Sequence, residues 1–402
     1  MGVKSIIFFI SDGMGPGYVT AARDAQVCGG SGGGNGGGVG ELEMEKYFVG
    51  MSRTRSADAL VTDSAAGATA YATGFKTDNH VVAEVRAAAA PGGPDVTGEG
   101  RGAGYSNNAA GTGRRYEPVG SIVEGAQLAG KLTGIVTTTR VTHATPAAFS
   151  THVRDRNDEN EIAMQQILSL DLNVLMGGGR RHFDPQSTAG SKRKDELDLV
   201  AAARTHGYAV ATDAGTMRRV ATAVRRAEEE RDARASGEDR SGGDDDDPST
   251  LPRSMRAILG PRMLGLFAPS HLPYEIDRHR GFIHAAAAPA LPPPASTAAA
   301  ADAAAATDAQ PPALVEMTVA ALEVLATGPH GFFLLVEAGR IDHGGHANDA
   351  GAALAEVCPC DSTLKPYTQK ILHPKSPTPK RSYTHKALHP KYPTFQIRYL
   401  EP

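Results

Sequence analysis

Short apolar runs recur along the chain with little polar alternation inside them. Ile6–Ile10 reads IIFFI, and further runs lie at 134–136 (with threonines directly after), 173–176 and 332–336. Each is rich in β-branched or aromatic residues and about as long as a strand buried on both faces of a parallel sheet. Between them the apolar spacing becomes helical, predicting helices over 65–73, 121–129, 159–168 and 314–325. Strand and helix in alternation imply an α/β fold, with a mostly parallel central sheet flanked by helices on both faces.

Four stretches interrupt the pattern: a glycine run at 29–40, a polar segment at 87–118, a charge-rich segment at 225–251 and an Ala/Pro-rich segment at 285–312. We expect these to be disordered insertions in one domain over 1–357. Residues 358–402 form a Pro/Lys/His-rich tail with an internal repeat, in which Tyr367-Thr368 and Leu372-His373 recur as Tyr383-Thr384 and Leu388-His389. Such a segment carries few core residues, and disorder is expected there too.

Three of the predicted strands run straight into polar residues. Ile10 leads to Ser11-Asp12, Val136 leads through Thr137-Thr138-Thr139-Arg140 to His143, and Val336 leads to Glu337. In open parallel sheets ligands bind beyond the carboxyl ends of the strands, so these residues predict one convergent pocket able to take a metal.

Charge narrows the partners. The 402 residues carry a net charge of −4, which gives no basic surface for nucleic acid or anionic membrane. Three cysteines exclude a disulfide scaffold. No apolar run reaches the roughly 18 residues of a spanning helix. The N-terminal apolar stretch is too short for a signal-peptide core, so no N-terminal secretory signal is expected and the compartment is left open.

Within the pocket, Asp342 and His346 are spaced to face the same way on a helical turn, where carboxylate and imidazole suit Zn²⁺. Glu337, at a strand end, suits a harder oxygen-ligated ion such as Mg²⁺. His343 is offset from Asp342 and is expected to point elsewhere. A solvated acidic turn would read the same way. Asp63-Ser64 precedes an alanine-rich run ending at Gly74, which places Ser64 at a helix N-terminus favourable to phosphate or alkoxide. A plain N-cap is the simpler reading of that pair. Asp12-Gly13-Met14-Gly15 sets a carboxylate at a strand tip among glycines, as a tight turn also would.

Taken together, SDGMG at 11–15, TDSAAGATAYATG at 62–74, TTTRVTHATPAAFSTHVRDRN at 137–157 and FFLLVEAGRIDHGGH at 332–346 resemble the alkaline phosphatase family. MGGGRRHF at 176–183 and LFAPSHLPYEID at 266–277 support the match. The resemblance implies a phosphomonoesterase that uses two Zn²⁺ and one Mg²⁺ and works through a phosphoserine. By position, Ser64 would be the nucleophile and Arg156 the clamp on the phosphate oxygens. Asp12 would bridge the second zinc and the magnesium. Thr145 and Glu337 would complete the magnesium site with His143 close behind, and Asp342 and His346 would bind the first zinc. The glycine triplet at 177–179 and the LFAPSH segment would be structural, without a ligand. Small phosphate monoesters are the implied substrates and a homodimer the implied assembly.

The resemblance also implies a further Asp-His pair and a later histidine as zinc ligands. The chain has one Asp-His dipeptide, Asp342-His343, already inside the last motif, and the match is expected to stop at Val357 with the C-terminal part of the fold missing. A second reading follows: a truncated, catalytically silent remnant that binds at most phosphate or one cation.

Overall fold

The computed structural model describes residues 3–28, 42–87, 115–235, 261–278 and 310–357. All four expected strands form and two more join them. β1 (Ile6–Ile10), β4 (Leu132–Arg140), β5 (Val174–Gly178), β6 (Tyr208–Ala211), β7 (Arg262–Leu266) and β8 (Phe332–Glu337) make a six-stranded sheet. Its order is β1-β8-β4-β5-β7-β6 and every pairing is parallel. β2 (Glu84–Arg86) and β3 (Tyr116–Pro118) pair antiparallel as a separate ribbon.

Successive strand side chains point to opposite faces, and the core divides accordingly. Val136, Met176, Met263 and Leu334 enter one cluster with residues of α1 (Pro16–Cys28), α7 (Ala214–Ala235) and α8 (Leu314–Leu325). Their neighbours Ile135, Leu175, Leu264, Phe333 and Leu335 enter the other. That second face is covered by α2 (Ser64–Thr73), α3 (Ile122–Leu128), α4 (Ala144–Ser150), α5 (Glu159–Leu168) and α6 (Leu199–Thr205). Burial on both sides explains why the strands read as continuous apolar runs.

Three of the stretches expected to be disordered are partly ordered. Tyr116–Pro118 forms β3, and the buried Tyr116 hydroxyl donates to Asp78, which also binds the Arg86 guanidinium. α7 continues to Ala235, because the Ala, Glu and Arg of that charge run are strong helix formers. Residues 310–312 lead into α8, with Gln310 O accepting from Ala214 N at 3.2 Å. The remainder of the four stretches and the 358–402 tail lie outside the described residues. Among the described residues no helix is long and apolar enough to cross a membrane.

The register positions the chemistry. Ile10 pairs with Glu337, and Glu337 pairs in turn with Thr137, so the polar ends of β1, β8 and β4 lie in one row.

Candidate functional site

Glu337 closes β8 and is fully buried. Its Oε2 accepts from the hydroxyls of Thr137 and Thr139, and the Thr145 side chain on α4 donates to the same carboxylate. Oε1 has no hydrogen-bond partner. Burial, followed by the charge of Asp12, pushes the acid up to about 8. Asp12, just past the end of β1, is pushed up to about 6 by burial and then by Asp342, against the opposing pull of the Ser64 hydroxyl and Arg156.

Asp12 is followed by a turn that only glycine can make comfortably. Gly13 has φ +67°, and a Cβ there would sit 2.5 Å from Asp342 Oδ1. That closeness brings the β1 tip against α9 (Arg340–His346), the helix that carries Asp342 and His346. His346 Nε2 stands 3.5 Å from Asp342 Oδ2, so the two do face the same way; His346 is 80% exposed while Asp342 is 23% exposed.

Ser64 begins α2. Asp63 is its N-cap, with Oδ1 accepting from Ala66 N at 2.9 Å, and Gly74 at φ +80° ends the helix. Ala65, Ala68 and Ala72 pack with Ala144, Ala147 and Ala148 of α4 in one buried cluster, and these small side chains let the two helices lie close. Ser64 Oγ donates to Asp12 Oδ2 at 2.9 Å. Beside it, Arg156 Nη1 donates to Asp63 Oδ2 and Nη2 to His143 Nε2, both at 3.0 Å. The His143 ring is buried and its Nδ1 has no hydrogen-bond partner. Burial, then the cations around it, hold His143 well below the usual histidine range, so the ring is neutral.

Asp12, His143 and Glu337 each offer a donor atom within 4.8 Å of the others. A buried and a half-buried carboxylate with raised affinity for protons, one unpartnered oxygen and a neutral imidazole form a donor set that a divalent cation would satisfy. The convergence predicted from the strand ends is therefore present.

Two further histidines lie beside the cluster. The His343 ring, on α9, lies edge-on to His143 at 5.3 Å. His271, from the LFAPSH segment expected to be structural only, lies 5.6 Å from His143 and 4.3 Å from His343. Local spacing could not show this, since β7 and its following loop supply His271 from far along the chain.

A family model described as alkaline phosphatase matches residues 3–226 and 250–373. The chain belongs to the alkaline phosphatase family. The match runs past Val357, where the motifs had been expected to end. The repressible alkaline phosphatase of Saccharomyces cerevisiae is 33% identical over 384 residues, covering 90% of this chain and 51% of that protein. The human tissue-nonspecific isozyme is 32% identical over 398 residues, covering 90% and 59%. Among solved structures, Thermus thermophilus alkaline phosphatase superposes with TM-score 0.61 at 30% identity, covering 92% of this chain and 57% of that one. The cold-active enzyme of a psychrophilic Shewanella gives 0.58 at 26% identity. The chain thus spans between about half and three-fifths of these curated relatives. A solved variant of the alkaline phosphatase of the Antarctic bacterium TAB5 is described with Mg bound.

Proposed function

We propose that this chain hydrolyses small phosphate monoesters through a phosphoserine formed on Ser64. The observation that carries the reading is the Ser64 hydroxyl held 2.9 Å from Asp12, which belongs to the three-residue donor cluster, with Arg156 alongside. Asp12, Glu337, Thr145 and His143 would hold the Mg²⁺; Asp342 and His346 would hold one Zn²⁺, and Asp12 with Ser64 would face the second. Bound there, these cations supply charge neutralisation at the phosphoryl and alkoxide oxygens.

The residues themselves do the rest. Asp12 fixes the direction of the Ser64 hydroxyl, and the α2 N-terminus adds positive potential where the phosphoryl group would sit. Arg156 has a planar guanidinium that, once turned from Asp63 and His143, can grip two phosphoryl oxygens. Asp63, by capping α2 and holding Arg156, fixes the distance between nucleophile and clamp. The implied homodimer belongs to the same reading.

The test is turnover of a chromogenic phosphate ester above pH 8 with both metals, comparing the wild type with Ser64→Ala. Loss of turnover in the variant is expected, together with loss of acid-stable phosphoryl label on the protein. Equal turnover in the two proteins refutes the nucleophile.

A second reading, a silent remnant binding at most phosphate or one cation, is favoured by one observation. Among the described residues only Asp12, His143 and Glu337 group as three donors, while Asp342 and His346 stand as a pair. A catalytic zinc normally has three protein ligands. Metal analysis separates the two: close to two zincs per chain excludes the remnant, and no zinc bound in excess metal excludes the enzyme.

A further inference from the structure

We infer that His271 is a positioning residue for the Asp12–His143–Glu337 cluster, holding the His143 imidazole so that its ring presents a nitrogen to a divalent cation there. The inference rests on the reading of that cluster as a cation site.

The geometry is that of a wall. The His143 ring has no hydrogen-bond partner on Nδ1, and the ring's one hydrogen bond is from Arg156, which the phosphoryl group would draw away. What remains to orient the ring is packing. His271 lies edge-on to it at 78°, His343 at 85°, and these two meet each other at 66°, so each imidazole braces the other two. His343 sits on the short helix α9, where Arg340 Nη1 donates to its Nδ1 at 3.0 Å. His271 is anchored separately, from the β4 end.

Arg140 N donates to His271 Nδ1 at 3.2 Å and the Arg140 guanidinium reaches its Nε2. That guanidinium is itself fixed by two bonds to Glu159, at 2.6 and 2.9 Å. The loop is pinned on both flanks: Gly179 N donates to Ser270 O at 2.8 Å and Leu272 N to Thr138 O at 3.0 Å. Gly178 lets this happen, since a Cβ on it would fall 1.9 Å from Ser270 O.

Groups that orient a metal ligand from behind typically govern affinity by about 10–100-fold. The full chain, stripped with chelator, is titrated with Co²⁺ and followed by visible absorption. The band that Asp12→Asn or Glu337→Gln abolishes defines this site. His271→Ala is expected to weaken that Co²⁺ binding about tenfold and to move the band toward that of His143→Ala. His271→Phe, which restores a ring edge, should recover most of the affinity. Should His271→Ala not fold, His271→Asn removes the ring while keeping an acceptor for Arg140 N, and carries the same expectation. Wild-type affinity and band in the ring-less variant overturn the inference, as does a lowered melting temperature with the band unmoved. If Asp12→Asn and Glu337→Gln leave Co²⁺ binding unchanged, it is the cation site itself that fails.

Discussion

Replacing Gly13 by alanine tests whether the β1 tip and α9 are held at the separation described. Two costs add. At φ +67° an alanine carries left-handed strain of about 1–2 kcal/mol. Its Cβ would also stand 2.5 Å from Asp342 Oδ1, 2.9 Å from Asp342 Cβ and 3.0 Å from Asp342 Cα. A new side-chain rotamer could relieve the first of these contacts. The third is to backbone, so α9 or the β1 tip must shift, and overpacking of this kind costs about 1–3 kcal/mol. The expected loss of stability is about 2–5 kcal/mol. Activity should fall further, because a displacement near 1 Å between reacting groups costs on the order of 100-fold. Gly15→Ala is the internal control: nothing lies within 4 Å of its Cβ and its φ is not positive. Urea unfolding and phosphate-ester turnover would be measured on both variants. If Gly13→Ala behaves like Gly15→Ala in both assays, the packing of Gly13 against Asp342 is not as described.

Other consequences are open to measurement. Arg156→Ala should raise KM for phosphate esters and weaken inhibition by inorganic phosphate, with a loss of about 1.5–3 kcal/mol for a charge-assisted contact; unchanged phosphate inhibition would remove Arg156 from the clamp. Glu356 is buried, accepts from Glu275 N, and is pushed up to about 7 by burial and then by Glu275. Its folded affinity for a proton exceeds the unfolded one, so its contribution is whole below pH 4.5 and is lost as pH rises through about 7. Glu356→Gln should therefore be more stable than wild type above pH 7, by about 3 kcal/mol, and no more stable at pH 4; a constant difference across pH would contradict this. Gly178→Ala should destabilise by at least about 2 kcal/mol, since its Cβ meets the Ser270 carbonyl at 1.9 Å; a melting temperature equal to wild type would show that the loop carrying His271 is not pinned there.

The sheet centre and the site were legible in the sequence for one reason: residues buried on both faces leave long apolar runs, and the polar residue that ends each run is exposed by contrast. Ile10 before Asp12 and Val336 before Glu337 are such boundaries. The helices at 159–168 and 314–325 form with those bounds, because their apolar spacing is clean. β6 and β7 escaped notice. β6 has four residues, YAVA, and β7 carries Gly265 inside RMLGL, so neither makes a run that stands out. The approach of His271 and His343 to His143 is not legible in the sequence for a different reason. It depends on which elements meet across the strand tips, and spacing within one motif does not encode that. Tyr116–Pro118 was lost in a polar segment because a three-residue ribbon strand depends on its partner and on Asp78, not on its own composition.

The place of β1 in the sheet has a temporal side. Its sole strand neighbour among the described residues is β8, and the Phe332 N to Ser5 Oγ bond spans 327 residues of chain. A ribosome adding about 5–20 residues per second therefore leaves the N-terminal strand without its neighbour for tens of seconds. Through that interval an apolar pentapeptide with two bare edges waits in the nascent polypeptide, a template for wrong partners until its own arrives. Asp12 and Ser64 are therefore synthesised long before Glu337, the residue they are brought beside.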